Sequence, residues 1–596
     1  MEVVHHAASD FTRIFEVLGY QQKKYPNAKA LSEWSENSWH AYSIETIIQW
    51  VDALACWFKR TGYQRGDRIM LMPLSGSPAW MVIDFACQRC GLVTVPVHPT
   101  SRAEDLALIA AETESKLCIA ATETLVATVK AACGSAMEVT HLQKEVAGYF
   151  NWQVEAPRQE ELEKLLAEDS LIAETDWVTI LYTSGSSGMP KGVPLTHSNI
   201  IHNIKAILPM LPLEPHHRVL SFLPFSHILE RMACYGYIAF GVEVYFNTVR
   251  ENLAHDFLSV RPYFCTSVPR VLEKMYDHLQ AQLLTKNFIK KKLITWAFKV
   301  AVNYKVAGKI RVAYALQLWT VRLLVLRHWR KRLGGNLRYM VVGAASLRPE
   351  IARMLSAAGV QVVEGYGMTE TSPLISINRF EPGLNRLGTV GMVIPGIEVR
   401  IDEPDATGAG EILVRGPNVM SGYFKRPELN AEVFTPDGWL RTGDVGLFEK
   451  HRFLKITDRK KDIFKTSAGK YIAPQPLQRH FCQSPFIQQC LILGFQKPFV
   501  TALVVPNFEV LQEWCSQQHI HWSAPEYMVH NIKVRARLQQ EIDALNQLLP
   551  NYEQVKNFVV CAAEWTAERG EVTASLKPVR QNIVAAYKSE IEKLYA

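Results

Sequence analysis

A serine- and glycine-rich stretch of the sequence reads Leu181-Tyr182-Thr183-Ser184-Gly185-Ser186-Ser187-Gly188-Met189-Pro190-Lys191-Gly192-Val193-Pro194-Leu195-Thr196. Four aliphatic hydroxyl side chains and two glycines precede its single lysine, Lys191. Glycine lets the backbone approach an anion closely, while the hydroxyls and the backbone amides donate hydrogen bonds to its oxygens. This composition predicts a loop that binds a polyphosphate.

The register of this loop differs from that of a Walker A motif, in which the lysine follows a glycine directly and a helix begins next. Here Pro190 precedes Lys191, and the apolar residues that follow predict a strand. A P-loop kinase or GTPase is therefore not expected. A flexible glycine-serine linker is also disfavoured, because apolar β-type runs at 177–182 and 193–195 bound the loop on both sides.

The rest of the chain predicts an α/β fold. Helical patterns alternate with short apolar strands, such as those at 69–72 and 117–120, and this alternation is typical of a mostly parallel sheet flanked by helices. A chain of 596 residues exceeds what one hydrophobic core usually supports, so more than one domain is expected. We place a large N-terminal domain at 1–457, a charged linker at 458–463 and a small α+β C-terminal domain at 464–596.

Two further motifs follow predicted strands. The small residues Gly343-Ala344-Ala345 leave room for a flat ligand, and the stretch 364–370 places an aromatic ring, a hydroxyl and a carboxylate close together. Tyr366 can stack on adenine and Thr369 can donate to a phosphate. Glu370 can coordinate Mg²⁺, which usually takes only one or two protein carboxylates beside phosphate oxygens. Together with the serine-rich loop, these motifs indicate an ATP site.

These motifs resemble those of the AMP-forming, adenylate-forming enzymes, which include acyl-CoA synthetases, luciferases and peptide-synthetase adenylation domains. The resemblance implies catalytic roles for Lys191, Thr369 and Glu370, with Glu370 and Thr183 as ligands of Mg²⁺. It also implies that ATP is bound by residues of all three motifs, namely Thr183, Ser184, Gly185, Ser186, Ser187, Gly188, Lys191, Gly343, Ala344, Ala345, Tyr366, Gly367 and Thr369.

The resemblance continues toward the C-terminus. In the family, an aspartate in a glycine-flanked turn binds the ribose hydroxyls, and Asp444 matches it. The charged stretch that starts at Asp458 matches the linker to a mobile C-terminal domain, which makes Asp458 the pivot. By the same match Arg459 contacts the ribose, Lys465 lies on the phosphate side and Lys577 is the catalytic lysine.

Two local features refine the comparison. The pattern Leu-Pro-x-x-His-x-x-Glu-Arg at 223–231 resembles the long-chain fatty acyl branch, which places His227 near the acyl carboxylate. Gln475 and Gln478 stand where family members often carry acidic residues, so the hydrogen bonding at that helix start is left open.

The activity that the resemblance implies uses ATP, Mg²⁺ and CoA. A fatty acid, expected to be long-chain, forms acyl-AMP with release of pyrophosphate, and the acyl group then passes to the thiol of CoA with release of AMP. Two alternatives stay open. One is an acyl-AMP ligase that loads a carrier protein, and the other is a catalytically weak, membrane-associated nucleotide-binding protein.

The positive charge of the chain is concentrated in one region. No Asp or Glu occurs from His278 to Pro349, while segment 286–332 carries many lysines and arginines among aromatic residues. Either this segment lies on an anionic lipid surface, or it is a solvated helical face. Arg322 and Arg327 interrupt the longest apolar run, so no transmembrane helix is expected.

The remaining composition bears on location and partners. Eleven cysteines at irregular spacings and the lack of an apolar N-terminal signal segment predict free thiols in a reducing compartment. We therefore expect a cytoplasmic protein, with any membrane contact peripheral and at the inner face. No nucleic-acid partner is expected.

Overall fold

The computed structural model describes residues 11–135, 137–184, 189–284, 288–305, 311–467, 470–566, 569–572 and 578–595. The chain divides into two compact units. The first comprises Met1–Pro269, Val300–Val399 and Val414–Leu440, and the second comprises Arg270–Lys299, Arg400–Leu413 and Arg441–Ala596. A hinge at Asp458, which lies within the second unit, stays a prediction.

A six-stranded sheet of the first unit carries the serine-rich stretch. In spatial order its strands are Glu138–His141, Leu117–Ala120, Arg68–Met72, Val93–Pro96, Trp177–Ser184 and Pro190–Thr196. Neighbours pair in parallel, except that the last two strands form an antiparallel hairpin. The predicted strands at 69–72, at 117–120 and after Lys191 are confirmed.

A nine-stranded sheet also belongs to this unit. In spatial order its strands are Met392–Val393, Leu374–Ile377, Gln361–Gly367, Tyr339–Val342, Phe264–Ser267, Arg218–Ser221, Glu243–Phe246, Leu31–Ser35 and Ser38–Tyr42. The central pairs are parallel, and antiparallel pairs occur only toward the two edges. The predicted α/β architecture with mostly parallel sheets is confirmed.

The edge hairpin Leu31–Ser35 and Ser38–Tyr42 was not expected from the sequence. Its turn residues Glu36 and Asn37 have φ of 49° and 61°, which is the left-handed region that tight hairpin turns require. Glycine or asparagine usually occupies both positions of such a turn. Because glutamate is uncommon at the first position, the sequence does not readily indicate this turn.

The helices of the first unit lie between and beside these strands in the sequence. They are Glu16–Lys24, Ile44–Arg60, Pro78–Arg89, Ala103–Thr113, Glu123–Cys133, Gln159–Glu168, His197–Ile207, Ile228–Ala239, Leu253–Val260, Val312–Val321, Arg327–Arg332, Pro349–Ala357 and Pro427–Val433, with one π-turn at Arg322–Leu326.

A buried polar network ties two of these helices to the six-stranded sheet. Arg231 of the helix Ile228–Ala239 is fully buried and forms an ion pair with Asp84 of a neighbouring helix. Its guanidinium also donates to the hydroxyls of Thr94 and Thr179 at 2.7 Å each, and these threonines lie on adjacent strands. A buried ion pair tolerates the loss of one partner poorly. Arg231 of the motif at 223–231 therefore has a structural task.

The second unit contains smaller sheets. Its four-stranded sheet has the order Glu398–Asp402, Gly410–Arg415, Leu440–Glu449 and Phe453–Arg459, and its three-stranded sheet has the order Ile487–Leu493, Val500–Pro506 and Val555–Val560. Phe464–Lys465 pairs with Tyr471–Ile472. The helices that lie wholly or mostly here are Pro269–Leu284, Phe288–Val302, Pro474–Phe481, Phe508–Gln517, Pro525–Met528, Ile532–Asn546, Arg580–Ala586 and Lys588–Lys593.

The C-terminal part of this unit is an α+β assembly, as predicted. Apolar side chains of the three-stranded sheet pack against flanking helices, with Leu477 and Ile542 among the buried residues of that core. In the described part of the chain, no helix is both long and apolar enough to pass through a bilayer.

Candidate active site

The serine-rich loop joins two paired strands. Trp177–Ser184 runs antiparallel to Pro190–Thr196, and the register sets Thr183 opposite Lys191. The predicted phosphate-binding residues Gly185, Ser186, Ser187 and Gly188, and the side chain of Ser184, lie outside the described residues. A β ladder thus fixes Thr183 and Lys191 opposite each other, at the ends of the two strands.

Lys191 contacts an aromatic ring that also contacts Glu370. The Nζ atom of Lys191 lies 5.1 Å from the ring centroid of Tyr423, within the range of a cation–π interaction. The Tyr423 hydroxyl donates a hydrogen bond of 2.8 Å to Oε1 of Glu370. Burial and the neighbouring carboxylate both raise the pKa of Tyr423, so its hydroxyl keeps its proton and remains a donor. The fold thus brings Lys191 and Glu370 to one place.

Tyr423 belongs to a segment, 420–424, that sequence reasoning missed. The backbone amide of Phe424 donates to the carbonyl of Gly192 at 2.8 Å, and the amide of Met420 donates to the carbonyl of Glu370 at 2.9 Å. The segment is therefore hydrogen-bonded to the lysine strand and to the carboxylate motif. In the sequence the segment is recognisable only as a Gly-Tyr-Phe run. Such a run does not indicate a function, because the groups that Tyr423 contacts are distant in the sequence.

The Tyr366 motif ends a strand of the nine-stranded sheet. Tyr366 and Gly367 are the last residues of Gln361–Gly367, and Tyr366 is buried. A Cβ atom added to Gly367 would lie 1.7 Å from the carbonyl oxygen of Pro373, so only glycine fits at this position. The returning chain itself therefore requires glycine here, and a contact of Gly367 with ATP stays a prediction.

Thr369 and Glu370 lie in the short turn Thr369–Thr371 that follows. The side-chain amides of Asn203 and Asn418 donate to the carbonyl of the last residue in this turn at 2.8 Å and 3.0 Å. These contacts hold the hydroxyl and the carboxylate beyond the carboxyl end of a parallel strand, which is where open α/β sheets bind ligands.

The small-residue loop Gly343-Ala344-Ala345 lies at the same edge of the sheet. It follows the strand Tyr339–Val342, the parallel neighbour of Gln361–Gly367. The backbone amide of Leu347 closes the loop by donating to Oε1 of Glu364 at 2.9 Å. Since the two strands are adjacent, the loop and the Tyr366 motif are neighbours, as a pocket for a flat ring between them requires.

His227 precedes the helix Ile228–Ala239 and is half-buried. A Cβ atom added to Gly343 would lie 3.2 Å from Cδ2 of Leu229, so the start of this helix packs against the small-residue loop. Leu229 therefore packs against the predicted nucleotide site, and His227 lies two residues before Leu229 in the sequence. Its contact with an acyl carboxylate stays a prediction.

Glu230 is a buried carboxyl group three residues after His227. Its side chain is 1% exposed, and its Oε2 atom has no hydrogen-bond partner among the described residues. Glu230 contributes to raising the pKa of three nearby groups, namely Cys234, Tyr237 and Cys265. Burial raises the pKa of Glu230 to about 8, so the carboxyl group holds a proton at neutral pH.

Replacing Glu230 by glutamine is expected to change how stability depends on pH. The folded protein keeps the Glu230 proton up to a pKa of about 8, whereas an unfolded chain releases it near about 4.3. Wild-type stability therefore falls as pH rises through this window, by roughly a few kcal/mol. Glutamine does not ionise, so thermal unfolding midpoints of the two proteins should agree near about pH 4 and favour the variant near about pH 9. Parallel pH profiles would contradict a protonated Glu230.

In the second unit, Asp444 and Arg459 face each other across an antiparallel pair of strands. The Nε atom of Arg459 lies 3.3 Å from Oδ1 of Asp444, and the backbone amide of Asp444 donates to the hydroxyl of Thr442 at 3.1 Å. Asp444 is 8% exposed and the Arg459 side chain is 53% exposed. The two residues that the resemblance assigns to the ribose are therefore neighbours.

Asp458 connects this strand pair to the helix Pro474–Phe481. Its two carboxylate oxygens accept hydrogen bonds from the backbone amides of Arg459 at 2.6 Å and of Gln475 at 3.4 Å. Burial raises the pKa of Asp458 to about 6. The Gln475 side chain in turn donates to Oδ2 of Asp462 at 3.2 Å, so the unusual glutamine still serves the hydrogen bonding of this helix start.

Of the two remaining predicted site lysines, Lys465 and Lys577, the structure describes only Lys465. Lys465 is exposed, and its Nζ atom lies 5.3 Å from the ring centroid of Tyr471. Lys577 lies outside the described residues. Val572 and Pro578, which lie before and after Lys577 in the sequence, pair as an antiparallel bridge. The roles of both lysines stay predictions.

The comparison with protein families decides the identity of the fold. The AMP-binding enzyme model matches residues 18–424, and the model of the AMP-binding enzyme C-terminal domain matches residues 461–596. The chain belongs to the AMP-binding enzyme family. The segment with Tyr423 is the last that the first model covers, so this tyrosine lies within the family's large domain.

Curated relatives of this AMP-binding enzyme extend over most of the chain. A long-chain-fatty-acid–CoA ligase of Mycobacterium bovis is 32% identical over 546 residues, which is 90% of this chain and 89% of the relative. The peroxisomal long chain acyl-CoA synthetase 7 of Arabidopsis thaliana is 31% identical over 611 residues, covering 97% of this chain and 85% of the relative.

Solved structures share the fold at lower identity. The adenylation domain of a carboxylate reductase from Mycobacterium chelonae gives a TM-score of 0.76 at 20% identity, covering 100% of this chain and 92% of that chain. ATP-bound MatB from Rhodopseudomonas palustris gives 0.69 at 19% identity, covering 97% of this chain and 99% of that chain. The adenylate-forming fold is thereby established.

Proposed function

We propose that this AMP-binding enzyme is a long-chain fatty acid–CoA ligase that releases AMP and pyrophosphate. The observation that carries the proposal is the meeting of Lys191 and Glu370 at Tyr423, beside the carboxyl edge of a parallel sheet. Near full-length relatives that are named as a long-chain-fatty-acid–CoA ligase and a long chain acyl-CoA synthetase support the choice of substrates.

In the first step, a carboxylate oxygen of the fatty acid attacks the α-phosphorus of ATP, and pyrophosphate leaves. The chain's contribution is to position the groups and to stabilise the charge that develops. Lys191 and the hydroxyls of its loop bind the β- and γ-phosphates, Tyr366 stacks on adenine and Thr369 donates to a phosphate. His227 lies beside the acyl carboxylate.

Mg²⁺ fits the residues present. Within the described ranges, no three His, Cys, Asp or Glu side chains gather into a group that could hold a metal ion on their own. Glu370 offers one carboxylate, oriented by Tyr423, and Mg²⁺ commonly takes one or two carboxylates and completes its shell with phosphate oxygens and water. Glu370 and Thr183 would hold the ion, which would neutralise phosphate charge.

In the second step, the thiol of CoA attacks the acyl-AMP carbonyl and AMP leaves. Lys577 is needed beside the α-phosphate in the first step, whereas the thiol needs an open path in the second. We propose that residues 464–596 rotate about Asp458 between the two steps, as other hinged enzymes do. Asp444 and Arg459 bind the ribose, and Lys465 contacts the phosphate side.

A panel of carboxylic acids scored by AMP release tests this function. We expect sustained AMP release with long-chain acids and CoA, and little with short acids or without CoA. Release with a phosphopantetheinyl carrier protein but not with CoA would instead identify an acyl-AMP ligase. ATP binding without AMP release from any acid would identify a nucleotide-binding protein that lacks the activity.

We also propose that segment 286–332 contacts an anionic membrane surface. Four apolar side chains recur along one face of the helix Val312–Val321 and the turn after it, namely Val312, Leu316, Trp319 and Leu323, and they are 86%, 65%, 62% and 45% exposed. Leu318 and Val321 on the other side are buried, so the exposed row is not needed for the core. In the sequence, basic residues flank this apolar row and no carboxylate occurs from His278 to Pro349, which suits an anionic lipid interface.

Reversing the charge of Lys290, Lys291 and Lys292 to glutamate is expected to weaken vesicle binding at least about tenfold, since each cation near such a surface contributes about 1 kcal/mol. Sedimentation with vesicles of phosphatidylcholine and phosphatidylglycerol measures the effect. Trp319→Ser should weaken binding as well, whereas Tyr527→Ser, at a 73% exposed position, serves as the control. Binding that survives the charge reversal would contradict the proposal.

A further inference from the structure

We infer that Tyr423 is a positioning residue that keeps Lys191 and Glu370 apart and aims each at a different part of ATP. The inference rests on the proposed roles of Lys191 and Glu370. Its structural basis is one side chain with two contacts, in which the ring lies 5.1 Å from Nζ of Lys191 and the hydroxyl lies 2.8 Å from Oε1 of Glu370.

Opposite charges that lie close together attract each other. Among the described residues, Lys191 forms no ion pair with a carboxylate, even though the ring that it contacts is hydrogen-bonded to Glu370. A direct pair would consume the cation needed for phosphate and the anion needed for Mg²⁺. A neutral aromatic ring lets both charges stay close without cancelling each other.

The two ends of Tyr423 act differently. The ring face attracts an ammonium group through its quadrupole, so it orients Lys191 without removing its charge. The hydroxyl donates one hydrogen bond of 2.8 Å to Glu370, so it orients one carboxylate oxygen without supplying a counter-charge. Neither contact of Tyr423 places an opposite charge against Lys191 or Glu370.

The backbone of Tyr423 is itself held in place. Its amide donates to Oδ1 of Asn430 at 2.6 Å, and the next amide, of Phe424, donates to the carbonyl of Gly192 at 2.8 Å. Gly422 has φ of 145°, and a Cβ atom there would lie 2.7 Å from Nδ2 of Asn430. The side chain is thus fixed before ATP arrives, and such pre-organisation is what makes a positioning residue effective.

Calorimetric binding of a non-hydrolysable ATP analogue, with and without Mg²⁺, tests the inference apart from turnover. Tyr423→Phe keeps the ring and loses the hydroxyl, so we expect analogue affinity to fall about tenfold with Mg²⁺ and to stay unchanged without it. Tyr423→Leu also loses the ring, so we expect weaker binding under both conditions as Lys191 and Glu370 pair. Tyr527→Phe, an exposed tyrosine, is the matched control.

Equal Mg²⁺-dependent affinity of Tyr423→Phe and wild type would overturn the inference, as would an equal loss with and without Mg²⁺. If Tyr423→Phe does not fold, Asn430→Ala replaces it, because losing the acceptor at 2.6 Å frees the tyrosine backbone and should produce the same Mg²⁺-specific loss at a smaller size. AMP release by the wild type judges the proposed function separately, since analogue binding requires no turnover.

Discussion

Replacing Lys577 by alanine is expected to abolish fatty-acid-dependent exchange of pyrophosphate into ATP, with a loss of at least about a thousandfold. The lysine would bridge the α-phosphate and the acyl carboxylate while negative charge develops, and alanine supplies no cation. Thioester formation from supplied acyl-AMP and CoA should continue, because the lysine is not needed once the adenylate exists. Exchange of labelled pyrophosphate and acyl-CoA formation measure the two half-reactions separately.

The matched control for this variant is Lys588→Ala, which removes an exposed lysine from a nearby helix. It should leave both half-reactions unchanged. Undiminished exchange in Lys577→Ala would remove this lysine from the mechanism, and equal losses in both half-reactions would indicate damage to the fold instead.

Replacing Asp458 by proline is expected to have the opposite effect. Proline fixes φ near about −65°, so the backbone can no longer rotate between two arrangements at this residue. We expect adenylation to persist and thioester formation from acyl-AMP to fall at least about a hundredfold, measured with the same two assays. Both half-reactions intact in the proline variant would refute the hinge.

Asp458→Ala separates rotation from hydrogen bonding. It removes the carboxylate that accepts from the backbone amides of Arg459 and Gln475, yet it leaves φ free to change. We therefore expect it to retain both half-reactions while unfolding at a lower temperature than the wild type. A loss confined to the proline variant would then be assigned to the blocked rotation.

Much of the fold follows from local pattern. Buried strands such as Leu117–Ala120 are short apolar runs between helical patterns. The apolar residues after Lys191 likewise predict the strand found there. The hairpin at 31–42 was missed because its turn places a glutamate in the left-handed region. The sequence pattern predicts a helix or strand when its side chains specify that structure. It does not predict a turn whose residues adopt an unusual backbone conformation.

The site is predictable only in part for a different reason. Lys191 and Glu370 lie in motifs whose composition announces phosphate and metal chemistry. Tyr423 has no such motif, and its importance arises only from the hydrogen bond and the ring contact that the fold creates. The raised pKa of Glu230 likewise depends on burial, which no local pattern encodes.

The exposed row on the helix Val312–Val321 shows the same limit. From sequence, apolar residues at this spacing indicate a face turned toward a core, and the basic residues around them indicate solvent or lipid. The structure places Leu318 inward and leaves Leu316 and Trp319 exposed, so the helix has two apolar faces, one of which has no core to join.

The most direct test of an acyl-adenylate mechanism is pyrophosphate exchange by the wild-type protein without CoA. We predict that labelled pyrophosphate enters ATP only when Mg²⁺ and a long-chain fatty acid are both present, and that adding CoA converts the mixture to acyl-CoA and AMP. Exchange that ignores the fatty acid, or cleavage of ATP to ADP and phosphate, would contradict the mechanism.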